Sequence, residues 1–330
     1  MVAQRSSGMS PLFTLLFAVT GGAAVGNLYW SQPLLTDIAG SFGVQPAAAG
    51  GLVTMTQLGY ATGVVFIVPL GDVLDRRRLI PGVMFLSALG LGACALAPTF
   101  AVLCAALAFV GLTTVSGQLL VPLAGDLAGD EVRGRVIGTV VSGMLIGILL
   151  SRTLSGLVGG VLGWRAIYCL AAIVTLIFAA VLARRLPSER TRGRVQYGDL
   201  LRSILTLVAT KPAVRATLAI GACAFMVFTM FWTGLTFLLS AAPFSYSPVQ
   251  IGLFGIAGVA GALVARRAGV LHDRGLSVPA TGAALCLALV SLSIAGLGGQ
   301  SVAMIVVAII LLDVAIQGIN VLNQNRLLAF

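Results

Sequence analysis

Two ionisable side chains stand inside long apolar runs of this sequence, Arg152 within residues 136–162 and Asp313 within residues 301–323. A charge held in hydrocarbon costs about 2.5–3.5 kcal/mol on insertion scales, so such groups face a cavity, a polar partner or one another. At 1.5 Å per helical residue Arg152 lies about 24 Å along its run from Val136. That is too deep to reach back to the nearer headgroups, although the far headgroups are within reach. Asp313 is the only acidic residue well inside a run, about 18 Å from Ser301. Either it takes up and releases a proton, or it is the counter-ion of Arg152. Burial and a neighbouring guanidinium act on a carboxylate in opposite senses, so the sequence leaves both readings open.

Uncharged polar groups recur at similar depth or near the run ends: Asn27, Tyr29 and Gln32 in the first run, Gln57 in the second, Gln118 in the fourth, Trp232 in the seventh, and Gln317 and Asn320 in the tenth. Small-molecule sites are generally apolar pockets with a few placed hydrogen-bonding groups. These residues are therefore candidate solute contacts, each with the plain alternative of bonding a neighbouring helix. Trp30 and Trp164, at run ends, read as interface anchors. Catalysis finds no support: the single histidine, His272, lies in a loop, and no P-loop, zincin motif or His-containing cluster is present. The five cysteines all fall within apolar runs without metal-ligand or paired-thiol spacing. No cofactor is implied.

The elements that must position these groups are ten apolar runs, at residues 11–30, 48–70, 79–98, 100–123, 136–162, 166–183, 216–240, 249–268, 276–297 and 301–323. A hydrocarbon core about 30 Å thick is crossed by roughly 20 helical residues, and each run is read as one span. With 58% hydrophobic and 9% charged residues and a mean hydropathy of +1.06, the chain has too little polar surface to cover a soluble globule. Placing the N-terminus in the cytoplasm puts eighteen of the twenty Lys and Arg residues on the cytoplasmic side and only Arg165 outside. The positive-inside bias thus predicts two cytoplasmic termini. The net charge of +10 is dispersed over membrane-flanking loops, which argues against a nucleic-acid partner and for topology signals and contacts with anionic lipid. The first run is long enough to span and has no convincing cleavage site, so it reads as a retained helix.

A long interruption divides the spans into a six-span bundle at 1–183, a basic linker at 184–215 and a four-span bundle at 216–330. Residues 198–210 of the linker are amphipathic, and read equally as a helix on the membrane surface or as a solvated loop. The loop after the second span, GDVLDRRR from Gly71, is echoed by GVLHDRGL after the eighth, so that Gly71, Asp75 and Arg76 match Gly269, Asp273 and Arg274 at an offset of 198 residues. Paired bundles of this kind place a solute site near the midplane. The fifth span carries Gly143, Gly147, Ser151, Ser155, Gly159 and Gly163 at four-residue spacing, and the eighth carries Gly252, Gly255, Gly258 and Gly261 at three-residue spacing. Such rows permit close backbone approach.

The loop from Gly71 to Arg78 resembles the signature of the major facilitator superfamily, G-x-L-x-D-R-x-G-R-R, and Gly269 to Gly275 resembles its weaker second copy. The NLYWSQPLL run from Asn27, QLGYATG from Gln57, RGRVIG from Arg133 and GWR at Gly163 to Arg165 are similar to the superfamily's bacterial efflux branch. The resemblance implies an all-α polytopic fold of two pseudo-symmetric bundles. Ten spans are present, six plus four of the usual six plus six, which implies an incomplete second bundle. It implies a monomer in the bacterial inner membrane that moves a small organic solute by alternating access, as proton-coupled efflux, with protons and membrane lipids as its other partners. A facilitator or importer of a sugar or metabolite, and a transport-inactive membrane protein, are the alternatives.

By the same resemblance Asp75 would pair with Arg133 or Arg135 in a gate. The first, fourth, seventh and tenth spans would line the cavity, and the fifth and eighth would meet along a sliding seam between bundles, so that Gly147→Leu is expected to block transport while sparing membrane insertion. The sequence departs from the pattern at Arg78, where a second glycine is usual, and at Ser151 and Arg152, where an antiporter has Gly-Pro. The arginine typical of the fourth span in drug antiporters is missing.

Overall fold

Apolar helices broken at a few definite points build the protein, which we describe from a computed structural model that places residues 9–187, 196–258 and 276–327. In order they are α1 (Pro11–Gly26), α2 (Leu35–Phe42), α3 (Pro46–Phe66), α4 (Arg76–Ala95), α5 (Phe100–Thr113), α6 (Ser116–Leu127), α7 (Arg133–Leu162), α8 (Trp164–Arg185), α9 (Tyr197–Thr210), α10 (Pro212–Ser240), α11 (Pro248–Gly258), α12 (Ser277–Leu297) and α13 (Val302–Leu327), with 3-10 turns at Gln32–Leu34 and Val68–Asp72. No strand occurs among the described residues. Among the described residues eight helical segments, one of them α5 and α6 taken together, are long and apolar enough to cross a membrane. The first span falls short because α1 stops at Gly26, and α11 runs up to residues that are not described. The second copy of the loop signature, with Gly269, Asp273 and Arg274, lies outside the described residues, as does Gly261.

The helix ends follow local chemistry. Pro11, Pro46 and Pro212 sit in the first turns of their helices, where the missing N–H costs nothing. Ser10 and Thr99 accept from the backbone N–H of Phe13 and Val102 at 3.2 and 3.3 Å, as N-caps do. Asp75 does the same for α4, its carboxylate accepting from Arg77 N at 2.9 Å. Gly163, at φ +84°, makes the abrupt turn from α7 into α8.

The chain divides into two units, Met1–Leu200 and Leu201–Phe330. In the first, α1 packs chiefly on α7, α3 on α5 and α4 on α8. A core of Phe17, Ile80, Met84, Leu120, Leu123, Val140 and Leu182 joins α1, α4, α6, α7 and α8. In the second, α13 packs on α12 and α10. Arg326, in the last turn of α13, donates to Ser277 O at 2.6 Å and Thr281 Oγ1 at 2.7 Å on α12, and Asn323 Nδ2 donates to Thr217 O on α10 at 3.2 Å.

The small-residue row of α7 packs against α1. A Cβ on Gly143 would lie 2.4 Å from Ala18 O, and one on Gly147 2.2 Å from Gly22 O. Ser151 touches the space left by Gly26, Ser155 Oγ donates to Trp30 O, and Leu34 fills the position over Gly159. Four-residue spacing fits the shallow crossing of two helices, and here α1 is the partner that uses it.

Candidate functional site

The break after Gly26 is what builds the site. Five turn residues and the 3-10 turn at Gln32–Leu34 replace regular helix at membrane depth, a geometry tolerated where the irregular backbone is buried in protein or lines a cavity. It presents Tyr29 and Gln32 to α7. There Arg152, 1% exposed, donates from Nε to Gln32 Oε1 at 2.8 Å and from Nη1 to Ile148 O at 3.1 Å. Its guanidinium lies 4.7 Å from the centre of the Tyr29 ring, within cation–π range. The residue thus turns inward rather than reaching for the far headgroups.

A second pair belongs to the same unit. Gln118 Nε2, on α6, donates to the Tyr60 hydroxyl of α3 at 2.9 Å. Two further amides have spare capacity. Gln32 Nε2, and both polar atoms of the Gln57 side chain, are buried without a hydrogen-bond partner, which costs about 1–3 kcal/mol each unless a solute or water meets them. A fixed cation, two tyrosine rings and three amides thus all belong to the first unit.

Asn27 serves differently. Its Nδ2 donates to Thr175 Oγ1 on α8 at 3.3 Å and its Oδ1 accepts from Trp30 Nε1 at 2.9 Å, so it braces the break against α8. Trp30 is buried, and Trp164 Nε1 donates to Ser41 Oγ at 3.0 Å with its ring against Phe42 and Tyr168. Both tryptophans are internal braces rather than interface anchors. A groove of about 570 Å³ between α1, α7 and α8 is lined by Asn27, Trp30, Gly143, Gly147 and Ser151 among many apolar side chains. Arg152, Tyr29 and Gln32 do not line it, so this groove and the polar constellation are different places.

In the second unit Asp313, 2% exposed, and Gln317, 8% exposed, lie on α13 with Asn320 one turn on. Trp232 is buried on α10, its ring edge-on to Phe228 and Phe231.

A cluster of charged groups gathers at the end of α3 and the start of α4. Asp75 is the N-cap of α4, and Arg133 approaches Asp126 at 3.8 Å. The hub is Arg76, 3% exposed, which donates to Gly71 O at 2.8 Å, Asp72 at 3.0 Å and Asp126 at 2.8 Å. A Cβ on Gly71 would meet Leu119 Cδ2 at 2.7 Å, so a larger residue here would make that side chain move. Asp126 follows from no loop motif, being brought in by the α6 to α7 turn; Asp72 was visible as the i, i+4 partner of Arg76. Tyr60 stands one turn beyond Gln57 on the same helix, and only the packing of α3 on α6 joins it to Gln118.

A polytopic bundle with a broken first helix and a buried cation beside uncommitted amides is the architecture of a membrane solute carrier. The chain belongs to the Major Facilitator Superfamily, whose profile matches residues 12–329. It is 40% identical over 317 residues to an uncharacterized transporter, YgaY, of Escherichia coli O157:H7, covering 96% of this chain and 80% of that one. It is 33% identical over 321 residues to a probable transporter, SCO4007, of Streptomyces coelicolor, covering 97% and 75%. Among solved structures the nucleoside transporter NupG superposes with a TM-score of 0.76 at 14% identity, over 95% of this chain and 82% of that one, a likeness of fold. The protein is a multi-pass membrane transporter and not an enzyme.

Proposed function

We propose that this transporter exports a small organic solute from the bacterial cytoplasm by proton-coupled alternating access, with both termini in the cytoplasm. The observation that carries the reading is Arg152, buried in α7 and held by Gln32 and Tyr29. Intramembrane charges of this kind mark solute or ion pathways. Tyr29, Gln32, Gln57, Tyr60 and Gln118 then supply hydrogen bonds and ring surface to the solute. Asp313 carries the coupling proton or answers the charge of Arg152, with Gln317, Asn320 and Trp232 as further contacts. The Arg76 hub, with Asp72, Asp126 and Arg133, holds the end of the first unit on the basic side of the membrane, and its loosening accompanies the change of access.

Proteoliposomes with an imposed pH gradient test the proposal. Candidate solutes should move against their gradient when the proton gradient is applied, and the movement should collapse with a protonophore. Solute flux that ignores the proton gradient would replace this reading with a facilitator.

A further inference from the structure

No residue of α9 is buried. At 100° per residue Leu201, Ile204, Leu205 and Val208 fall on one side, and Arg202, Ser203, Thr206 and Thr210 on the other. Leu205 is 69% and Ile204 44% exposed, so the apolar side lies open, and open apolar faces on membrane proteins mark contact with lipid or another protein.

Both ends of α9 lie beside the ends of apolar helices. The Tyr197 hydroxyl donates to Phe66 O at 2.7 Å, at the last residue of α3 and ten residues before Arg76. At the other end only Lys211 separates α9 from the membrane-length helix α10. Arg215 folds back to donate to Val208 O and Ala209 O at 3.2 and 2.7 Å, placing a cation at the α9 C-terminus, where it meets the helix dipole favourably. The helix is about 21 Å long, and it is joined by Tyr197 to α3 and by Lys211 to α10. The segment 184–215 holds eight basic residues against Glu189 and Asp199, and such clusters draw a helix to anionic headgroups.

We infer that α9 is an interfacial helix lying in the membrane surface, with Leu201, Ile204, Leu205 and Val208 among the acyl chains and Arg202 and Lys211 on the phosphates of anionic phospholipid. The occupant of the open face is the bilayer itself. Each cation near an anionic surface multiplies surface binding by about fivefold, and the apolar face adds the insertion that a free phosphate cannot supply.

The test uses the full chain, its native cysteines replaced, carrying a fluorophore at Leu205→Cys or Thr206→Cys in bilayers with or without phosphatidylglycerol. With the anionic lipid, the Leu205 probe should be quenched by brominated acyl chains and shielded from aqueous iodide, and the Thr206 probe should behave oppositely. Arg202→Glu with Lys211→Glu should reduce the brominated-lipid quenching at Leu205 severalfold, and added salt should do the same. Equal iodide access at the two positions would overturn the inference in favour of a solvated helix. Shielding of Leu205 from both quenchers would overturn it in favour of a protein partner, a second copy of the chain included.

Discussion

The Arg152 guanidinium lies 4.7 Å from the centre of the Tyr29 ring while Gln32, three residues along the same broken segment, takes the hydrogen bond from its Nε. One charged residue on α7 is thereby read by two residues of the broken segment. Arg152→Lys keeps the charge but loses the planar fork and the stack. Losing the charge-assisted bonds, roughly 1.5–3 kcal/mol each, should lower flux at least about tenfold at unchanged membrane abundance, measured in reconstituted vesicles.

Asp313→Asn should abolish flux driven by an imposed pH gradient while leaving solute counterflow measurable. Unchanged proton-driven flux would remove the carrier role and leave Asp313 a structural part of α13.

Gly147→Leu, expected from the sequence to stop transport and spare insertion, should instead destabilise the first unit. A Cβ at this position meets the Gly22 carbonyl at 2.2 Å and both partners are backbone, so α1 and α7 must separate. Overpacking of a close crossing costs about 1–3 kcal/mol or more. Thermal unfolding in detergent should show a lowered midpoint even for Gly147→Ala, and an unshifted midpoint would free the row for contact elsewhere.

Asp75 and Asp126 should separate cap from ion pair. Asp75→Asn preserves a good N-cap, worth about 1 kcal/mol relative to alanine, and should leave stability and flux close to the parent. Asp126→Asn removes the 2.8 Å partner of the buried Arg76 and should cost about 1.5–3 kcal/mol, read as a drop in thermal midpoint. A gate built on Asp75 would reverse the order of the two variants in flux.

Tyr60→Phe and Gln118→Leu break the same 2.9 Å bond. If the pair acts on the solute as one unit, the double variant should lose no more affinity than either single one, a coupling of about 0.5–3 kcal/mol. Additive losses would mean the two groups contact the solute independently.

Membrane class, helical class and family were legible in the sequence, because each follows from composition along the chain or from a contiguous motif. Ten apolar runs, the basic loops and Gly71 to Arg78 need no knowledge of which helix touches which. Arg152 also announced itself, since a charge in an apolar run is anomalous wherever the run packs. The site's membership was less legible. Tyr60 has no meaning until α3 and α6 bring it to Gln118, and Asp126 none until the α6 to α7 turn brings it to Arg76.

The row from Gly143 to Gly159 shows the limit most plainly. Spacing alone determined that α7 would approach some neighbour closely, since small side chains at four-residue intervals make a groove whatever fills it. That α1 fills it, and that α1 stops at Gly26 so that Tyr29 and Gln32 can meet Arg152, was decided only in three dimensions. Periodicity in a helix records which face is smooth, whereas the identity of the partner depends on every other helix competing for that face.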